Sequence, residues 1–82
     1  MRNIMQFRFR DNDSLFEIET NYNPEIGDIV YYELQNTQEN YTKIRKIIND
    51  NFELEGIVCE KWVNLSDNLI IWTVFLHESF KQ

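Results

Sequence analysis

The 82 residues are predicted to form an all-β fold. The expected architecture is a small antiparallel barrel or sandwich of five to six strands, with one short helix near residues 41–50 as an optional element. Three observations predict it. Apolar residues recur mostly at every second position, the period of a strand. Clusters of Asn, Asp, Gly and Ser break the runs at short intervals, as turns do. The chain has no alanine, and so no alanine-rich helix, while aromatic residues reach 15%. At this length one domain is expected. Such a chain buries only about 60–65% of the surface its unfolded form exposes, so large aromatic side chains must supply much of the core.

The first element is a hairpin in residues 4–20. Met5, Phe7 and Phe9 alternate with Gln6, Arg8 and Arg10. Asp11, Asn12, Asp13 and Ser14 supply turn chemistry, and Phe16 and Ile18 then alternate with Glu17 and Glu19. With Arg10 opposite Leu15, Phe9 faces Phe16, Phe7 faces Ile18, and Arg8 meets Glu17. Apolar pairs and opposite charges then share one register.

Tyr22, Asn23, Pro24 and Glu25 read as a turn, and Gly27 and Asp28 precede the apolar run Ile29–Leu34. Gly27 suits a positive φ there. A phosphate-binding loop would need several glycines and a helix just after it, and neither is present. "QNTQEN" is a polar loop. Residues 41–50 fit two periods: Tyr41, Ile44 and Ile48 share a helix face, whereas Thr42, Ile44, Lys46 and Ile48 share a strand face. Flanking strands and the turn residues Asn49, Asp50 and Asn51 favour the strand, with a short helix as the alternative. "FELEGIVCEKWV" is a long strand in which Gly56 marks a bulge or bend. "NLSDN" is a turn. Leu69–Leu76 is apolar throughout, as in a strand buried on both faces or carrying one face to an interface.

"PEIGDIVYYEL", followed by a polar loop and "YTKIRKI", resembles the start of a small SH3-like barrel. The resemblance covers residues 24–48 and leaves the first hairpin unexplained. It implies binding of a peptide, protein or nucleic acid rather than catalysis, and it assigns no binding residues.

The net charge of −6 argues against direct nucleic-acid binding, which draws on Lys and Arg to neutralise phosphates. Such a charge either keeps the protein soluble or faces a basic partner. Cys59 is the only cysteine, so no internal disulfide forms. "MRNIMQFRFR" lacks the apolar core of a secretion signal, and the longest apolar run is far short of a membrane span. A cytoplasmic protein is the expectation. Asn40-Tyr41-Thr42 and Asn64-Leu65-Ser66 then read as chance matches to a glycosylation triplet.

Candidate chemistry is sparse. His77 is the only histidine and has no ligand or acid–base partner nearby in sequence. Cys59 lies in an apolar strand with Lys61 two residues on, a weak case for a reactive thiol. Asp11, Asn12 and Asp13 resemble the start of a calcium loop, but Phe16 and Tyr22 stand where its glycine and glutamate belong. Glu17 with Glu19, and Glu53 with Glu55, share strand faces, as on a solvated surface. No enzyme, metal or cofactor is expected.

Aromatic residues carry the remaining signal. Tyr31 and Tyr32 are adjacent, so a strand sends them to opposite faces. Ile71, Thr73 and Phe75 alternate with Ile70, Trp72, Val74 and Leu76, so both faces of the last strand are apolar. The second face is either covered by another segment or open to a partner. The candidate partner-binding residues are Tyr31, Tyr32, Glu33, Glu53, Glu55, Glu60, Trp62 and Trp72. The expected function is non-catalytic binding of a protein, basic and nucleic-acid-binding in the sharper form of this reading. Small size, acidity and a composition suggesting an A/T-rich genome fit a phage or mobile-element inhibitor of a host nucleic-acid-processing or defence protein, in the manner of an anti-CRISPR. The alternative is a structural or assembly subunit that self-associates, as a homodimer for instance, through its apolar C-terminal strand.

Overall fold

In a computed structural model, residues 1–10 and 14–77 are described. Five strands and one helix follow the chain as β1 (Arg2–Arg8), β2 (Phe16–Glu19), β3 (Ile29–Glu33), α1 (Tyr41–Ile47), β4 (Glu53–Asn64) and β5 (Leu69–Leu76). The all-β class is correct. The strands form one sheet in the order β2-β1-β5-β4-β3, curled as a half-barrel. Three of the four pairings are antiparallel. The fourth is parallel: β1 runs alongside β5, with Met5 against Trp72 and Phe7 against Val74. The last strand among the described residues is therefore the middle strand of the sheet.

The curl follows from aromatic packing. Phe7 and Phe16 stack across the β1–β2 pair with ring centroids 4.7 Å apart. Tyr32 comes from β3, at the opposite edge of the sheet, yet its ring lies 5.5 Å from Phe7 and 5.7 Å from Phe16. A flat five-stranded sheet would hold its edges about four spacings of 4.7–4.9 Å apart. The contact therefore requires the two ends to bend toward one another around the core. Trp72, Val74, Leu54 and Val58 line the inner face, and Ile44 and Ile48 of the helical segment complete it with Phe9 and Leu34.

Residues 41–47 are helical, which corrects the strand reading. Ile44 and Ile48 are both buried and Tyr41 packs against the core, so the period near 3.6 prevails over the flanking strands. Arg45 closes the helix end. Its guanidinium donates to the Tyr41 hydroxyl at 2.6 Å and to the Asp50 carbonyl at 2.5 Å. Asn49 and Asp50 follow with φ of 61° each, the left-handed turn geometry that Asn and Asp tolerate.

The first hairpin has its expected faces but not its expected register. Phe7 pairs with Phe16, Met5 with Ile18 and Gln6 with Glu17, a shift of two residues. Phe9 is freed to fill the core beyond the end of β1, and the longer connection costs little because loop-closure entropy rises slowly with length. A two-residue shift leaves every side chain on its own face. The turn and the calcium-loop comparison at Asp11, Asn12 and Asp13 lie outside the described residues.

The Gly-Asp turn is as expected. Gly27 has φ +99°, its N–H donates to Val58 O, and the Asp28 carbonyl accepts from Val58 N–H. Asp28 also accepts from the Glu25 N–H through its carboxylate.

Gly56 is not the bulge. It pairs with both Val30 and Leu76, and a Cβ there would stand 2.7 Å from the Phe75 carbonyl oxygen and 2.8 Å from Val74 Cγ1. The bulge falls between Val58 and Glu60. Replacing Gly56 by Ala forces two central strands apart. We expect a loss of about 1–3 kcal/mol, read as a lower urea midpoint with an unchanged slope.

Candidate open-face binding surface

The sheet has a second face. On β3 it carries Ile29, Tyr31 and Glu33; on β4, Glu53, Glu55, Ile57, Glu60 and Trp62; on β5, Ile71, Thr73 and Phe75. On β1 and β2 it carries Arg2, Ile4, Gln6 and Arg8, then Glu17 and Glu19. The helix packs on the inner face, and no described element covers this outer one. The cross-strand register arranges its side chains in rows. Ile29, Ile57 and Phe75 form one apolar row, and Trp62, Ile71 and Ile4 form another. Between them runs a polar row of Glu60, Thr73, Gln6 and Glu17. Ile29, Tyr31, Ile57, Trp62 and Phe75 are all exposed, Trp62 to 66%. A hollow of about 230 Å³ lies between Trp62, Ile71, Thr73, Gln6, Arg8 and Glu60.

The bulge at Cys59 builds half of this surface. Strict alternation would send Glu60 and Trp62 inward with Leu54 and Val58. The extra residue reverses the parity, so Glu60 pairs with Thr73 and Trp62 with Ile71 on the outer face. Lys61 is turned to the opposite side, its ammonium 5.8 Å from the Trp72 ring centroid. Cys59 and Lys61 therefore do not share a strand face as the uninterrupted pattern implied. Cys59 itself is exposed.

Charge is distributed unevenly across the face. Glu17 accepts from Gln6 at 2.8 Å and Glu19 from Arg2 at 3.4 Å, so the β2 side is partly compensated. On the far side Glu33 lies directly across from Glu53, and Glu55 across from Tyr31. No described Lys or Arg forms an ion pair with these three carboxylates. The Tyr31 phenol feels them. Its pKa is raised above 10.0, first by desolvation against the sheet surface and then by the negative charges of Glu53 and Glu33. The ring is well exposed, so both influences act through solvent and are modest.

Of the candidate residues from the sequence, Tyr31, Glu33, Glu53, Glu55, Glu60 and Trp62 gather on this face. Tyr32 and Trp72 do not. Tyr32 packs on Phe7 and Phe16, where burial raises its phenol pKa. Trp72 is 0% exposed at the centre of the core. Sequence reasoning left Ile29 and Ile57 out of the site. Their spacing two residues from Tyr31 and Glu55 was the available signal, and their cross-strand pairing gives it meaning. His77 follows β5 and donates its backbone N–H to Glu55 O at 2.8 Å. Among the described residues no three His, Cys, Asp or Glu side chains gather as a metal site requires, and no helix is long and apolar enough to cross a membrane.

No protein-family model, curated protein or solved structure matches the chain.

Replacing Glu53 by Gln removes one of the charges that raise the Tyr31 pKa. The pKa should fall toward its ordinary value, followed through the Tyr31 ring resonances in an NMR pH titration. A Glu17→Gln control, on the far side of the sheet, should leave it unmoved.

Proposed function

We propose that the chain is a non-catalytic protein-binding module whose open sheet face receives a basic partner. The observation that carries this reading is the uncovered pair of apolar rows bordered by carboxylates. Five large apolar side chains stand exposed on one face, and clustering of that kind marks an interaction surface where scattered exposure does not. Six glutamates against Arg2 and Arg8 make the same face acidic, which selects a partner of opposite sign and repels like-charged competitors. Binding is also the kind of role that the SH3-like resemblance implies.

The finer form of the proposal is an inhibitor, of phage or mobile-element type, that occupies the basic site of a nucleic-acid-processing or defence protein. Its support is size, acidity and the position of the carboxylates around aromatic residues. Self-association through the apolar C-terminal strand is the second reading. Both edges of β5 are hydrogen-bonded to β1 and β4, so two copies would have to meet through Ile71 and Phe75 on the open face. The net charge of −6 on each copy opposes that arrangement.

The test is an affinity capture from nuclease-treated lysate of the source organism or its host, using wild type beside the Tyr31→Ala/Trp62→Ala double variant. We expect one basic protein to be retained by wild type and lost from the variant. Each truncated aromatic anchor should cost about 2 kcal/mol, or roughly 30-fold in affinity. The complex should weaken as salt approaches about 1 M, where the Debye length is ~3 Å. Recovery of the bait alone, with sedimentation showing a salt-resistant dimer, would replace this reading by self-association.

A further inference from the structure

The exposed edge of β3 carries a more specific inference. The ladder between β3 and β4 fixes which way its backbone points. Leu34 N–H donates to Phe52 O at 2.7 Å, and Val58 N–H donates to Asp28 O at 2.9 Å. Bonded and unbonded positions alternate along an antiparallel pair. Val30 with Gly56, and Tyr32 with Leu54, are therefore bonded positions, and Ile29, Tyr31 and Glu33 direct their N–H and C=O groups away from β4. Gln35 Nε2 donates to Glu33 O at 2.9 Å from that outer side, which independently places the carbonyl there. β3 is the last strand of the sheet at this end, so no described strand meets the remaining groups.

An open edge is a template for another strand unless something blunts it. Lysine, proline or a bulge would do so, and Ile29–Glu33 contains none of them. What stands beside it is uncompensated negative charge. Glu33 opposite Glu53 is a like-charge cross-strand pair, which is destabilising in isolation, and Glu55 is next along β4 on the same face. At the other edge, β2, Glu19 is paired with the cationic Arg2, whereas Glu33, Glu53 and Glu55 meet no described Lys or Arg and Glu53 only the Tyr31 phenol. The two edges thus differ in the feature that selects a ligand.

We infer that the β3 edge takes up an extended segment of a cationic protein, which adds a sixth strand to the sheet. This rests on the proposed binding function and specifies how the partner is held. Main-chain hydrogen bonds to Ile29, Tyr31 and Glu33 hold the segment, and alternate side chains read the face. The residue opposite Glu33 is Lys or Arg, close to the Glu33–Glu53 pair. The residues opposite Tyr31 and Ile29 extend the apolar row toward Ile57 and Phe75.

The test uses the full chain and a synthetic peptide alternating Lys and Val, together with two versions N-methylated on one or the other alternate set of amides. N-methylation removes donors from one edge of an extended peptide and leaves its charge. The expected result is slower hydrogen exchange of the Ile29, Tyr31 and Glu33 amides, by about tenfold at saturation. One methylated peptide should lose binding while the other keeps it. Glu33→Lys, a surface change checked for fold by circular dichroism, should weaken the parent peptide. If both methylated peptides bind as tightly as the parent and perturb Trp62 and Phe75 without protecting the β3 amides, edge pairing is overturned and face docking stands. If no peptide binds, edge pairing is again overturned, and capture by wild type against the Tyr31→Ala/Trp62→Ala variant decides the wider reading separately.

Discussion

The contact of Tyr32 with Phe7 and Phe16 is the constraint on which the remaining structure depends. It joins the two ends of a five-stranded sheet across its own interior. Once the sheet curls, its faces become unequal. The concave face is small enough for one seven-residue helix and a few loop side chains to fill, and Trp72, Ile44 and Ile48 are buried there. The convex face is left without a covering element among the described residues. The exposed rows of Ile29, Ile57, Phe75 and Trp62 are thus the geometric complement of the curl.

The bulge at Cys59 acts on the same balance from within a single strand. Before it, β4 directs Leu54 and Val58 inward; after it, Lys61 turns toward the Trp72 ring and Trp62 faces outward. Without that extra residue Trp62 would press into an already filled interior and Glu60 would turn inward beside Val58. Overpacking and burial of an unpaired charge are both costly. One unpaired residue lets a twelve-residue strand serve the core at one end and the open face at the other.

Much of this was legible in the sequence, for physical reasons that also explain what was not. Period-two patterning separates faces, and those of β1 and β2 were read correctly from it. On β3 and β5 it separated the alternating sets without showing which faced inward, so Tyr32 and Trp72 were counted with the binding residues. Register is finer information. A two-residue slip of the first hairpin preserves every face, so pattern alone could not separate Phe9–Phe16 pairing from the observed Phe7–Phe16. The helix at Tyr41–Ile47 was obscured because Ile44 and Ile48 satisfy both periods, and only the shared core shows which applies. The parallel pairing of β1 with β5 joins distant parts of the chain and leaves no local signature. Within the site, Tyr31 and the glutamates of β3 and β4 could be named in advance. Trp72 could not be told from Trp62 by residue type, since the bulge reverses the parity between them and strand pairing decides which one is buried.

The central place of β5 makes it the strand on which the continuity of the sheet rests. The β1–β2 and β3–β4 pairings each form from strands near one another in sequence, but neither pair is hydrogen-bonded to the other except through Leu69–Leu76. Without β5 the sheet is not continuous, and each pair presents only part of the buried face that the whole sheet shares. The aromatic closure between Tyr32 and Phe7 has β5 as its framework, since that strand alone bridges β1 and β4. A change that dislodges β5 would therefore part the sheet into two pairs, β2-β1 and β4-β3, rather than trim a strand from its edge.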